Sequence, residues 1–335
     1  MSKKKKILIV LISIFMVGLG SGLFLMYGPY NGFRNWLITT AMTTMNHQYL
    51  ASWFYREESI NNVLASNRVI EPDENSNTSL IEINTDTTNN IVYKDEYDRE
   101  ILERDEDALY KIIEIKENGY KGYLAAIYDP SKVKVVTSQY IGTKGEYLVD
   151  MANRVGAVLA INGGGFVDAS GEGDGGAPVG IVISNGKVIN SARSGSGIIG
   201  FTKDNKLFLG KISSEEAVAK GIRDAVEFGP FLIVNGEVSS VVGNGGYGTH
   251  PRSAIGQRQD GIVLFLVIDG RSLTSKGADM DDLISIMQRY GAYNAANLDG
   301  GNSSALVEKG EILNNPLDWY NREQTRPIPN GFIVV

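Results

Sequence analysis

No cysteine occurs among the 335 residues, so disulfides, thiolate zinc sites and a cysteine nucleophile are excluded. Histidine is nearly absent: His47 and His250 are the only two, too few for a histidine-based metal cluster. Any metal would be a hard cation such as Ca2+ on oxygen ligands, and no other cofactor is indicated. Positive charge is in deficit, with 32 Lys and Arg against 39 Asp and Glu, a net charge of -7. Apart from the N-terminal lysines there is no basic stripe, which excludes nucleic acid as the main partner. A Walker loop and the G-x-S-x-G elbow of serine hydrolases are also missing.

What is present begins at the N-terminus. Lys3 to Lys6 precede ILIVLISIFMVGLGSGLFLMY, residues 7–27, which carry no charge. As a helix this run is about 32 Å long, enough to span a hydrocarbon core of about 30 Å. The lysines favour a cytoplasmic N-terminus, giving a single-pass membrane protein with its C-terminal domain outside the cytoplasm. A cleaved signal peptide is the alternative. The apolar run is longer than the usual core of such a peptide, and no A-x-A site follows.

Residues 28–70 read as a juxtamembrane helical segment, with Trp36, Tyr49, Trp53 and Tyr55 suited to a membrane interface and Ser59 a candidate cap for a helix within 52–69. Residues 71–107 read as a polar and charged linker. From residue 108 to 335 the pattern becomes that of an α/β (α+β) domain, with a mixed sheet core and packed helices. Asn185-Gly186, Asn235-Gly236 and Lys309-Gly310 mark hairpin turns. DGIVLFLVIDG, residues 260–270, has the continuous apolar character of a central strand.

A pseudo-repeat lies within this domain. Arg154 to Asn162 and Arg289 to Asn297 both read R-x-G-A-x-x-A-x-N, offset by 135 residues. Each follows a segment of helical periodicity and enters a glycine loop: Gly163-Gly164-Gly165 in one copy, Asp299-Gly300-Gly301 in the other. This spacing predicts one helix–strand–loop unit used twice, with both asparagines at equivalent ends of neighbouring strands and both loops facing one cleft.

Consecutive glycine N–H groups can form an anion nest; they can equally mark sharp turns that need positive φ. Asp269 ends the apolar strand and Asp299 ends the second repeat, so their carboxylates are candidates for acid–base or nucleophilic work. Asp168, Glu172 and Asp174 offer either a solvated rim or an oxygen-ligand cation site. Arg252, in GTHPRSAIG, has the bidentate fork that suits a phosphate; its alternative role is a structural salt bridge, for instance with Asp269.

INGGGF, GPFLIVNGE, PRSAIGQ, FLVIDGR, NLDGGNSSALV and RPIPNGFIVV occur in that order. Together they resemble the phosphodiester glycosidase family over roughly residues 108–335. That resemblance implies an α/β fold and hydrolysis of a sugar-1-phosphodiester at the C1–O bond, with a phosphorylated glycan as partner. Carried across, Gly163, Gly164, Gly165, Arg252, Asp269, Asp299, Gly300, Gly301 and Ser303 should line the site, with Asn302 replacing a glycine usual in the family. The chemistry of the residues makes Asp299, Asp269 and Arg252 the catalytic candidates, with Asn162, His250, Asn297, Asn302 and Ser304 as further substrate-binding candidates; a lone histidine such as His250 is more often structural. The alternative is a non-catalytic envelope module that binds phosphorylated glycans during polymer assembly.

Overall fold

The computed structural model describes residues 2–44, 47–83, 92–167, 174–318 and 322–335. Backbone contacts divide the chain into two compact units.

The first comprises Met1–Arg68 together with Val242–Gly248. Its Lys3–Tyr27 helix buries none of its residues. This is long and apolar enough to cross a membrane, a property signal sequences share. Asn31–Met42, Tyr49–Ser52 and Glu57–Ser66 are helical and close a small core of Ile38, Ala41, Ala51, Tyr55, Ile60 and Val63. The Glu57–Ser66 helix starts two residues before Ser59, which therefore does not cap it. Glu57 and Glu58 in its first turn complement the helix dipole instead.

The second unit holds Val69–Val241 and Thr249–Val335. It contains a seven-stranded sheet ordered Glu237–Val238, Phe231–Val234, Ala292–Leu298, Arg252–Arg258, Val263–Ile268, Tyr120–Ile127 and Tyr110–Glu117, and two five-stranded sheets. The strand pairs within all three are antiparallel, so the mixture in this α+β fold is of helix with sheet. The three anticipated hairpins form, and Asn185, Asn235 and Lys309 take positive φ at their turns, as do the glycines that follow them.

All six residues of the Val263–Ile268 strand are buried, hydrogen-bonded on one side to Arg252–Arg258 and on the other to Tyr120–Ile127. Burial of both faces accounts for the unbroken apolar run. Phe265 packs against Phe332, which in turn meets Phe201 edge-on, with ring centroids 6.5 and 6.2 Å apart. These rings lie in the largest apolar cluster of the unit.

Residues 71–83 and 92–107, expected as linker, pack on the second unit. Ser76 N–H donates to the Leu209 carbonyl and Glu82 N–H to that of Gln259. The charged run around residue 98 forms the Glu96–Leu102 helix, which buries Ile101 and Asp98. Asp98 accepts from Arg258 Nη2 at 2.8 Å. A buried guanidinium needs a carboxylate partner, and this requirement pins a segment whose composition reads as solvated.

Both repeat copies fold as helix followed by strand: Leu148–Val155 into Leu159–Asn162, and Met280–Arg289 into Ala292–Leu298. Gly156 caps the first helix in the left-handed conformation, φ 67°. The expectation that the two strands are neighbours is corrected here. They belong to different sheets, and only their terminal loops meet.

Candidate active site

The register sets the site. Arg252 is opposite Ile268, and Ser253 is opposite Leu298. The head of the Arg252–Arg258 strand is therefore flanked by the tails of two others, which end in Asp269-Gly270 and Asp299-Gly300. The glycines in these pairs make room for the strand between them. A Cβ on Gly270 would stand 2.7 Å from Pro251 N, and one on Gly300 would stand 3.0 Å from Pro251 O and 3.6 Å from Arg252 Nη1. The bare backbone thus lets a proline and an arginine pass between two carboxylate-bearing strand ends.

The N–H groups of these loops are largely engaged, which disfavours the anion nest of the two alternatives. Gly163 N–H donates to Asn330 O and Gly164 N–H to Asn330 Oδ1. Gly300 N–H donates to Asp299 Oδ1 and Gly301 N–H to Pro251 O. In the first loop glycine serves close packing without left-handed backbone: a Cβ at Gly163 would meet Asn330 Oδ1 at 2.2 Å, and one at Gly164 would meet Glu227 O at 2.9 Å.

The two repeats join here. Asp299 N–H donates to Gly163 O at 3.0 Å, and Asn162 Nδ2 donates to Asp299 O at 2.6 Å. Asn162 Oδ1 accepts from Ser253 Oγ and Ala305 N–H. Asn162 is 1% exposed; its side chain is occupied in tying the Asp299 backbone to the start of the arginine strand. Asp299 itself is half-buried.

Asp269 is 4% exposed. Its Oδ1 accepts from Asn314 Nδ2 and Asn315 N–H, at 3.1 and 2.8 Å. Burial raises its pKa above the ordinary carboxylate range, against these two donors and the charge of Lys121. It anchors the 314–315 loop beside the site. Arg252 is 6% exposed, and its Nε donates to the Ala278 carbonyl at 3.2 Å. His250 is buried and exchanges backbone hydrogen bonds with Ala278.

One residue was missed by sequence reasoning. Arg271, the last residue of FLVIDGR, has φ 61°, rare for a side chain of its size. Its Nη2 lies 3.0 Å from the position a Cβ on Gly301 would take, and Nη1 donates to Leu317 O. Burial pushes its pKa down to about 10, opposed by the charge of Asp318. The signal in the sequence was an arginine directly after an Asp-Gly strand end. Two guanidinium groups therefore border the Asp299 loop, at Gly300 and at Gly301.

Buried polar atoms without a partner gather in the same region: Asn297 Oδ1, Asn302 Oδ1, Ser304 Oγ and Asn330 Nδ2. Such atoms are costly unless something bonds them. Asn297 Nδ2 donates to Gly229 O, and Ser303 is buried in the 3-10 turn Gly301–Ser303. Asp174 is exposed, while Asp168 and Glu172 lie outside the described residues. Among the described residues no group of three His, Asp or Glu gathers to hold a metal.

An antiparallel α+β domain with an arginine-flanked aspartate loop at one sheet end is the architecture the chain presents. Residues 155–335 match the family model for phosphodiester glycosidase, and the chain belongs to that family. It is similar to the SPbeta prophage-derived uncharacterized protein YomE of Bacillus subtilis (strain 168), 32% identical over 207 residues, which cover 58% of this chain and 31% of that protein. The bovine N-acetylglucosamine-1-phosphodiester alpha-N-acetylglucosaminidase is 25% identical over 187 residues, 50% of this chain and 34% of the bovine one. The chain spans about a third of the length of these curated relatives. In fold it resembles the pro-peptide-inhibited catalytic domain of the zebrafish enzyme of that name, with a TM-score of 0.57 at 20% identity over 67% of this chain and 81% of the other.

Proposed function

We propose that this chain is a membrane-anchored, extracytoplasmic glycosidase that hydrolyses a sugar-1-phosphodiester of the cell envelope. The observation that carries the reading is the half-buried Asp299 on a glycine loop bordered by the Arg252 and Arg271 guanidinium groups. The bovine relative is an N-acetylglucosamine-1-phosphodiester alpha-N-acetylglucosaminidase, which supports the bond type and suggests N-acetylglucosamine as the first sugar to try.

A phosphodiester is a weak base and departs from C1 without strong protonation. The site then needs cations that hold the phosphate and one carboxylate near the developing positive charge at C1. Arg252 and Arg271 supply the first. Asp299 supplies the second, as nucleophile or as electrostatic stabiliser. Asp269, held by Asn314 and Asn315, acts as a positioning group.

The test is release of free sugar from a sugar-1-phosphodiester by the full chain in detergent, with and without calcium. Asp299→Asn is expected to abolish release while leaving ligand binding within a few-fold. Binding with no turnover by the unmodified chain, unchanged in Asp299→Asn, would overturn the enzymatic reading in favour of a glycan-binding module.

A further inference from the structure

The Ala292–Leu298 strand delivers Asp299. It is flanked on one side by Arg252–Arg258 and on the other by Phe231–Val234. The second neighbour holds it close to the site. Asn297 N–H donates to Pro230 O at 3.0 Å and Asn297 Nδ2 to Gly229 O at 2.8 Å, two residues before the aspartate. Asn297 is 1% exposed, so both bonds form away from water, where they are strong. Where the Asp299 loop sits therefore depends on where residues 229–231 are held.

Alternation along a strand puts the Phe231 N–H on the side away from Asn297. The next strand out, Glu237–Val238, pairs with Val234 and Ile233 and does not extend to Phe231. Phe231 is buried, and a buried amide without an acceptor is costly. Glu71 meets that need. Its Oε1 accepts from Phe231 N–H at 2.7 Å, and its Oε2 pairs with Lys211 Nζ, one residue past the Leu207–Gly210 strand of a five-stranded sheet. A Cβ on Gly229 would lie 3.6 Å from the same Oε1, so the carboxylate is packed against the segment as well as bonded to it.

We propose that Glu71 is a positioning residue for Asp299: it fixes the Gly229–Phe231 segment on which Asn297 hangs the strand that ends in the aspartate. Glu71 belongs to the same compact unit as the site and precedes the family-matched residues 155–335. The segment that composition marks as linker then contributes to function. Asn162 holds the Asp299 carbonyl from one side; Glu71, through residues 229–231 and Asn297, holds the strand from the other.

The proposal rests on the reading of Asp299 as the working carboxylate, so the experiment includes a measurement that needs no substrate. Full-chain protein in detergent is compared as wild type, Glu71→Ala, Glu71→Gln and Glu71→Asp by hydrogen exchange, thermal melting and steady-state kinetics. Glu71→Gln keeps an acceptor for Phe231 N–H, gives up only the charge that pairs with Lys211, and serves as the conservative rescue. In Glu71→Ala, exchange of the 296–301 amides is expected to rise about tenfold, the scale of one lost hydrogen bond, while exchange in the Val263–Ile268 strand stays unchanged. A similar fall is expected in kcat, with KM within about twofold, because the carboxylate moves while the arginines that hold the phosphate stay. Glu71→Gln is expected to recover most of both. Glu71→Asp, one methylene shorter, draws the acceptor away and is expected to repeat the loss should Glu71→Ala fold poorly. Faster exchange confined to 229–232, with 296–301 and kcat unmoved, would overturn the proposal, and so would a loss in Glu71→Gln equal to that in Glu71→Ala. Faster exchange at 296–301 in a protein without turnover would uphold the positioning and count only against the glycosidase reading.

Discussion

Arg252→Lys keeps a cation at the head of its strand and loses the two-pronged donor geometry. A charge-assisted hydrogen bond contributes about 1.5–3 kcal/mol, so a rate loss of roughly 10- to 150-fold is expected if the bond is made in the transition state. Tm measured on the same sample separates this from a structural arginine, which would lose stability and keep full activity per folded molecule. Arg271→Gln should raise KM on the same scale. Phosphate affinity should fall with it, as a titration of wild type and Arg271→Gln at one pH would show. Neither effect was foreseeable for Arg271 from composition, because its burial and its approach to Gly301 arise only when distant segments assemble.

A second residue-scale prediction concerns Glu227, 3% exposed. Burial alone would raise its pKa, but N–H donors from Ile181, Ser194 and Gly195 outweigh burial and hold it below its ordinary value. A depressed carboxylate pKa means stability that is present above the ordinary value and lost as pH falls through the folded one. Glu227→Gln should therefore lower Tm at neutral pH, by a destabilisation of about 1–3 kcal/mol, and the gap to wild type should narrow in acid.

At the scale of elements, the Asp-Gly strand ends carry the argument. Gly270→Ala forces a Cβ against Pro251 N, and backbone cannot swing aside as a long side chain can. Overpacking of this kind costs about 1–3 kcal/mol, and here it displaces the residue before Arg252. Gly270→Ala should therefore reduce activity beyond what its Tm accounts for; activity retained per folded molecule would show that the site tolerates movement of Pro251. The hairpins and the buried Val263–Ile268 strand were legible because local chemistry specifies them: Asn-Gly for the turn, an unbroken apolar run for burial. The repeat was legible as a helix–strand motif. Its pairing was not, since Leu159–Asn162 and Ala292–Leu298 join different sheets and nothing in nine residues encodes a partner strand.

For the whole molecule, the exposed Lys3–Tyr27 helix is expected to keep the chain in the membrane fraction after alkaline carbonate extraction. Recovery of a shortened, soluble chain from its native host would identify the segment as a cleaved signal instead. The sequence by itself determined the apolar helix, the α+β class, the family motifs and the absence of thiol or histidine metal chemistry, because each depends on composition or short-range order. Only the tertiary structure decided that Asn162 ties Asp299 to the arginine strand, that Arg271 borders the loop opposite Arg252, that residues 71–83 pack instead of linking, and that Glu71 accepts from the Phe231 amide. Those relations join residues tens to hundreds of positions apart. Their energies come from burial and from hydrogen bonds completed in a crowded interior, where a guanidinium without a carboxylate, or a Cβ without space, settles which arrangement survives.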